Sequence, residues 1–506
     1  MDVFDKAFGW RDLKIAQATG FYPYFKAISD SDATEVTIEG RRVLMVGSNN
    51  YLGLTRHPKV IAAAHQAIDK YGTSCSGSRL LNGTLELHQE LERRFARFLK
   101  KDAALCVTTG FTTNLAVLSG LLGRGDVVFT DRQNHASLVD GVRLSYAEEK
   151  RFRHNDMAQL EKLLRETSDR NGKLIVTDGV FSMEGDLADM KEITRLAKQY
   201  NARVAVDDAH GLGVLGAHGR GTAEHFDVED GVDLVLGTFS KSFASLGGVC
   251  AGPQEVIDWI RHKSRPFIFQ AAMTPSAAAA CIAALEVIEE EPERRARLWE
   301  ITEKMQRGFK SMGFDTGVSV TPVVPLVIGE QWRAWKFWRA LFDAGVYCNP
   351  VIPPAVPANQ CLMRTSYMAT HTDAQLDRVL DIVEQTGKKL EVIPQIRPHT
   401  TVTVKVASPG QNQFLASAVR AEETPKSLWS NGNVRDERPL HKRLSDVVER
   451  VTWQAINTDP DELAKVAALP GKLWRQRGQL PSLLMEKGVG LVMRQHAEPA
   501  EPEDRA

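Results

Sequence analysis

Cysteine is scarce in this sequence and scattered. Cys75, Cys106, Cys250, Cys281, Cys348 and Cys361 form no CxxC pair. That spacing suggests neither a zinc site nor a disulfide framework, and a reducing cytoplasm is the expected setting. Excess charge is also lacking. A net charge of −1 gives no sign of a nucleic-acid partner. The opening "MDVFDKAFGWRDLK" carries early acidic residues and no apolar core, so it does not read as a signal peptide. Long apolar runs are missing as well. The longest, "AAMTPSAAAACIAALEVI", is short, alanine-rich and broken by Pro275, which fits a buried helix better than a membrane span. No internal repeat is visible.

What is present is an ordinary globular composition, 43% hydrophobic and 25% charged over 506 residues. Such a length implies two or three domains. The middle of the chain alternates apolar runs with amphipathic stretches. "AALCVTTG", "DVVFTD", "KLIVTDGVFS", "ARVAVDDAHG" and "DLVLGTFSK" read as strands that end in glycine or polar residues. "LVDGVRLSYA", "MAQLEKLLRE" and "MKEITRLAKQY" read as helices between them. Fully apolar strands alternating with helices predict an α/β fold, with a mainly parallel sheet covered on both faces. Sites in such sheets lie at the carboxyl ends of strands.

After about residue 290 the pattern becomes long helix, strand, helix, strand, strand, helix, which predicts a smaller α+β domain. The expected division is an N-terminal segment 1–55, a large domain 56–295, a small domain 296–393 and an extension 394–506. In the extension, "TTVTVKV" alternates like a strand, and "LHKRLSDVVERV" and "DPDELAKVAAL" carry helical patterns. The acidic end "AEPAEPEDRA" reads as disordered.

Four features at predicted strand ends carry chemistry. "TTGFTTN" places a glycine where a strand turns into a helix, a geometry that favours a phosphate or a plain turn. "VDDAHG" ends an apolar strand on Asp207, suited to a protonated pyridine nitrogen, a helix cap or a metal; His210 follows closely. "NHASLVDG" offers His135, able to stack on a flat ring or to serve as a structural residue. "GTFSKSFASLGG" sets Lys241 among hydroxyls and glycines. That lysine is either a solvated loop residue or an amine held for a Schiff base. Pyridoxal phosphate (PLP) uses such a lysine, together with an acidic partner for its ring nitrogen. Thr238 and Ser240 offer hydroxyls to its phosphate.

From Gly20 to Glu391 the chain resembles the α-oxoamine synthases, a family of fold type I PLP enzymes. The resemblance is carried in order by "SNNYLGL", "GTSCSGSRLLNGTLELHQELE", "TTGFTTN", "NHASLVDG", "GVFSMEGD", "VDDAHGLGVLG", "GTFSKSFASLGG" and "RTSYMATHT". It implies Lys241 as the Schiff-base lysine and catalytic base, Asp207 at the pyridine nitrogen and His135 stacked on the ring. It implies Ser182 and His210 at the ring substituents, and Gly110, Phe111, Thr238 and Ser240 around the phosphate. Arg364 is implied to hold the amino-acid carboxylate. Asn50 and Tyr51 are implied to line the site, and Thr274 to reach the phosphate of a neighbouring subunit in a homodimer. The implied reaction is a decarboxylating Claisen condensation of an amino acid with an acyl thioester, carried by CoA or by acyl carrier protein. No metal is implied.

Within the family, the stretch Gly72 to Gly83 and "NPVIPPAVP" resemble the serine palmitoyltransferase branch. That implies L-serine, palmitoyl-CoA and a 3-ketosphinganine product. An 8-amino-7-oxononanoate synthase, using L-alanine and a pimeloyl thioester, is the alternative, and a fold type I aminotransferase would share Lys241 and Asp207. A catalytically dead relative would lack the lysine. The extension departs from the compact members of the family. Between Gly471 and His496 it has five basic residues and one acidic one among Leu473, Trp474, Leu480, Leu483, Leu484 and Met485. This segment would either rest on the inner membrane surface or pack as a helix on the protein.

Overall fold

The computed structural model describes residues 2–393, apart from 11–13, 15, 18–19 and 354. The features expected in the extension 394–506, membrane contact included, lie outside the described residues. Two units divide the chain, 23–397 and a second made of 1–22 with 398–506. The described part of the second holds a short helix, Asp5–Phe8. The first unit carries the strands and the longer helices.

Its strands are β1 Ile28–Ser31, β2 Glu35–Ile38, β3 Arg41–Met45, β4 Ala103–Val107, β5 Val127–Asp131, β6 Glu148–Phe152 and β7 Lys173–Asp178. They continue as β8 Arg203–Asp207, β9 Leu234–Thr238, β10 Gly248–Gly252, β11 Val323–Gly329, β12 Val346–Tyr347, β13 Asn349–Val351 and β14 Cys361–Ser366. The longer helices are α1 Pro58–Tyr71, α2 Glu86–Phe98, α3 Gly110–Leu121, α4 Ala136–Ser145, α5 Met157–Arg165 and α6 Met190–Gln199. After these come α7 Gln254–Lys263, α8 Pro275–Glu290, α9 Pro292–Met312, α10 Gln331–Asp343 and α11 Asp373–Lys389.

Seven strands form the main sheet in the order β4-β10-β9-β8-β7-β5-β6. Strands β5 to β9 pair in parallel. The runs read as strands in the sequence are here, and β4, β5, β7 and β9 are buried along their whole length. Two members left no readable pattern. β6, "EEKRF", is a charged edge strand, and β10, "GVCAG", is built of small residues. β10 runs antiparallel to both β4 and β9. It forms a hairpin with β9, so residues 239–247, Lys241 among them, are the loop of that hairpin.

The alanine-rich stretch is α8, buried along most of its length and packed against α1. Pro275 occupies its first turn, where a missing N–H costs nothing, and Thr274 caps it. Among the described residues no helix is long and apolar enough to cross a membrane.

A second core lies around β11-β14-β13, an antiparallel sheet, with α10 and α11 against it. Val36, Ile38, Val43 and Leu44, from residues read only as a leading segment, are buried in this core beside Phe337, Trp338 and Leu341. β3 pairs with β12 in parallel, some three hundred residues later, which ties the start of the unit to its end.

The hairpin loop that carries Lys241 is anchored by aromatic rings. Phe239 and Phe243 are fully buried, with ring centroids 4.8 and 5.0 Å from Phe95 of α2. Replacing a buried phenylalanine by alanine loses its transfer energy and leaves a cavity, about 3–5 kcal/mol together. Phe95→Ala should therefore shift the urea midpoint down by a comparable free energy. An unchanged midpoint would show that this ring cluster is not part of the cooperative core.

Candidate active site

Lys241, in the β9–β10 loop, interacts electrostatically with Asp207 and Asp178, the last residues of β8 and β7. Its ammonium has no hydrogen-bond or ion-pair partner among the described residues. Burial, seconded by the positive charge of Arg364, pushes its pKa down to about 8, while Asp207 and Asp178 pull the other way. An unpaired amine that is easily deprotonated is what attack on an aldehyde requires. A solvated loop lysine would have neither property.

Asp207 ends β8 and is buried. Its Oδ2 accepts from Asn114 Nδ2 at 2.6 Å and its Oδ1 from the Ala209 amide at 3.1 Å. The same Asn114 amide donates to Ser137 Oγ at 2.8 Å. Ser137 Oγ lies 2.6 Å from Nδ1 of His135, the N-cap of α4. One polar chain therefore orients the carboxylate and the imidazole together. Burial and Lys241 hold His135 below the usual histidine range. Its own amide donates to Asp178 Oδ2 at 2.8 Å. Burial beside Asp207 raises the Asp178 carboxyl well above the usual range.

On one side stands a cup of small and hydroxyl groups. α3 begins at Gly110, with Thr109 as its cap accepting from the Thr112 amide at 3.0 Å. A Cβ at Gly110 would come within 2.6 Å of Thr238 Cβ and Oγ1, so only glycine lets the helix N-terminus approach β9 this closely. Thr238 Oγ1 and Ser240 Oγ are 2.8 Å apart, and Phe111 is partly exposed at the rim, edge-on to His135. Helix amides, hydroxyls and a glycine make an anion cradle.

On the other side Arg364, buried in β14, donates from Nε to the Ser182 carbonyl at 2.6 Å and from Nη2 to Asn49 Oδ1 at 3.0 Å. Tyr51 Oη is 2.7 Å from His210 Nδ1. Burial, with Lys241 and Arg364 close by, lowers the His210 pKa well below its ordinary value, so the ring stays neutral. Burial likewise raises the Tyr51 phenol.

Two expected residues do not join this cluster within the single chain. Asn50 gives its side chain to Thr55 Oγ1 at 2.8 Å and to the Met368 sulfur at 3.5 Å. Its neighbour Asn49 faces Arg364 instead. Thr274 is an exposed helix cap bonded to Ala277 and Ser276. Asn114 belongs to the polar run 108–114 that the sequence places at a strand end. Ser137, Asp178 and Asn49 carry no such signal, because their roles depend on long-range pairing.

These residues fit PLP. There is an unpaired lysine for its aldehyde, a fixed carboxylate for its ring nitrogen, an imidazole for its face and a cradle for its phosphate. Fold and site together define a PLP-dependent enzyme of fold type I.

A family model described as aminotransferase class I and II matches residues 41–383. The chain is 48% identical over 376 residues, 74% of its length and 95% of the relative's, to a serine palmitoyltransferase of Bacteroides thetaiotaomicron. It is 41% identical over 392 residues, 77% of its length and 99% of the relative's, to an 8-amino-7-oxononanoate synthase of Thermoanaerobacter pseudethanolicus. Among solved structures, Sphingomonas wittichii serine palmitoyltransferase superposes with a TM-score of 0.76 at 36% identity, covering 78% of this chain and all of that one. A serine palmitoyltransferase solved with PLP superposes with a TM-score of 0.74, also at 36% identity and with the same coverage. The chain belongs to the aminotransferase class I and II family and, within it, to the α-oxoamine synthases, which are PLP-dependent acyltransferases.

The electrostatics of Lys241 can be measured without turnover. In cofactor-free protein, labelling of Lys241 by an amine-selective reagent should titrate near pH 8. Asp207→Asn should move that midpoint lower, because a favourable negative charge is lost. Arg364→Gln should move it higher, because a repelling positive charge is lost. A midpoint at the ordinary lysine value in all three proteins would contradict this account.

Proposed function

We propose that this enzyme condenses L-serine with a long-chain acyl thioester, palmitoyl-CoA first among them, to give 3-ketosphinganine, the free thiol and CO₂. The observation that carries the choice of substrates is 48% identity to a serine palmitoyltransferase across nearly all of that relative. The second reading, L-alanine with a pimeloyl thioester, is favoured by 41% identity to an 8-amino-7-oxononanoate synthase.

When bound, PLP supplies an electron sink for negative charge at the amino-acid Cα. The protein does the rest. Asp207 places a buried carboxyl group at the β8 end, where it would pair with the ring nitrogen. Asn114 and the Ala209 amide hold that carboxylate in one orientation. His135, locked through Ser137, would lie against the ring. Ser182 and His210, with Tyr51 bonded to His210, would face the ring substituents. Gly110, Phe111, Thr238 and Ser240 would hold the phosphate. Arg364 offers a planar fork to the amino-acid carboxylate. Fixing that group selects which Cα bond is broken. Lys241 Nζ, neutral often enough because of its depressed pKa, takes the Cα proton. Overall, a C–C bond forms to the acyl carbonyl as the C–S bond breaks, the thiolate leaves and takes a proton from water, the carboxylate departs as CO₂, and the electron pair it leaves at Cα takes back the proton held on Lys241 Nζ.

The reading includes a homodimer in which Thr274, exposed in the single chain, reaches the phosphate of the other subunit's site. It also includes a cytoplasmic setting, supported by six free cysteines. Sedimentation should then give the mass of two chains; a monomer would remove that role from Thr274.

Thiol release from palmitoyl-CoA should depend on L-serine and not on L-alanine or glycine, and Lys241→Ala should abolish it while PLP is still bound. Release with L-alanine alone would overturn the choice of amino acid. Undiminished turnover in Lys241→Ala would overturn the role of the lysine.

A further inference from the structure

His154 takes no part in the site as described, yet it has an unusual pair of neighbours. It follows the edge strand β6. Its Nδ1 lies 3.1 Å from Asp131 Oδ1 and its Nε2 lies 2.8 Å from Asp186 Oδ2. A neutral imidazole can donate from only one nitrogen, whereas an imidazolium donates from both. The two carboxylates outweigh burial and raise its pKa to about 10. The ring stands edge-on to Phe181, centroids 4.4 Å apart.

The two aspartates have different tasks. Asp131 ends β5 and belongs to the main sheet; it also accepts from the Gln133 and Asn155 amides at 2.8 and 2.9 Å. Asp186 lies in the turn between the bridged residues Val180 and Leu187. Its Oδ1 is buried with no hydrogen-bond partner among the described residues. Apart from Asn155 Nδ2 at 3.3 Å, His154 is what holds its side chain. Inside the turn the Phe181 amide donates to the Asp186 carbonyl at 3.0 Å.

The far end of the turn is pinned to the second core. The Gly185 carbonyl accepts from the Val320 amide at 3.1 Å and from Thr321 Oγ1 at 2.9 Å. Gly185 has φ +73°, and a Cβ there would meet the Val323 carbonyl at 2.4 Å. β11 begins at Val323 and pairs with β14, with Pro325 opposite Arg364. Between these two anchors, the Ser182 carbonyl accepts the Arg364 Nε at 2.6 Å.

We propose that His154 is a positioning residue for the amino-acid substrate: wedged between Asp131 and Asp186, it sets the turn whose Ser182 carbonyl orients the Arg364 guanidinium. The proposal rests on the reading of Arg364 as the carboxylate anchor. The imidazolium ties the turn to the main sheet, and the turn aims the fork. Glutamine at this position reaches one aspartate and leaves the other buried without its partner. The turn then shifts, and the guanidinium shifts with it. The cost falls chiefly on amino-acid binding, while Lys241 keeps its place in the hairpin loop and the acyl-thioester path is untouched.

The experiment uses PLP-loaded His154→Gln, Arg364→Gln and the double variant. L-serine, L-alanine and glycine are titrated by the change in visible cofactor absorbance, alongside steady-state kinetics with palmitoyl-CoA. His154→Gln should raise the amino-acid Kd and KM roughly tenfold, with kcat and the thioester KM within about threefold of wild type. In the Arg364→Gln background the same substitution should have no further effect, because the path it acts through is gone. Additive effects in the double variant, or a fall in kcat and in both affinities alike, would reduce His154 to a structural residue and overturn the proposal. Unaltered amino-acid affinity in Arg364→Gln alone would remove the anchor reading, and the proposal with it, through a separate arm. If His154→Gln does not fold, Asp186→Asn makes the same test. It keeps an acceptor for Nε2 and removes one charge, so the same split between the two substrates is expected at smaller amplitude.

Discussion

The burial of one ammonium group governs this site. Lys241 lies in a loop held by Phe239 and Phe243, and the surrounding protein withholds both water and a partner from its charge. Desolvation disfavours the charged amine, and Arg364 adds to that effect. Asp207 and Asp178 moderate it, so the amine sits near neutrality instead of losing its proton outright. The same low-dielectric setting keeps His210 neutral and holds His135 below its usual range. Three basic groups crowded together would repel one another if all were protonated. The arrangement persists because burial leaves both imidazoles neutral, so that Lys241 alone of the three carries charge near pH 7.

Order around the lysine comes from polar groups that are shared between elements. Asn114 on α3 serves both Asp207 on β8 and Ser137 on α4. Arg364 on β14 bonds to the Ser182 carbonyl and to Asn49, two segments far apart in the chain. Each bond orients a functional group without adding a charge of the opposite sign next to Lys241. His154 extends the scheme outward, since an ion cluster on the edge of the main sheet carries the turn that Arg364 leans on.

Much of this was legible. Apolar runs ending in polar residues located β4, β5, β7, β8 and β9, and sites in parallel sheets collect at those ends, so Asp207, His135 and Lys241 could be grouped before any contact was known. The alanine-rich stretch was legible as a buried helix, while Pro275, read as breaking that run, opens the helix with Thr274 as its cap. Other parts were not legible. β10 has only small residues, and β6 is charged because it is an edge strand, so neither carries a hydrophobic period. Asn49 and Asn50 are adjacent and chemically identical. Only the packing of Thr55 and Met368 against one of them sends the other to Arg364.

By itself the sequence determined the alternation of strands and helices, the order of the motifs, and the presence of a lysine, an aspartate and two histidines at strand ends. These depend on residue type and local spacing. The tertiary structure alone decided the antiparallel place of β10, the seating of residues 28–45 against β12 and the second core, and the bridge from Asp131 through His154 to Asp186. It also decided the state of Lys241. A side chain's pKa depends on which charges and how much protein surround it, and those neighbours come from segments as far apart as Asp178 and Arg364.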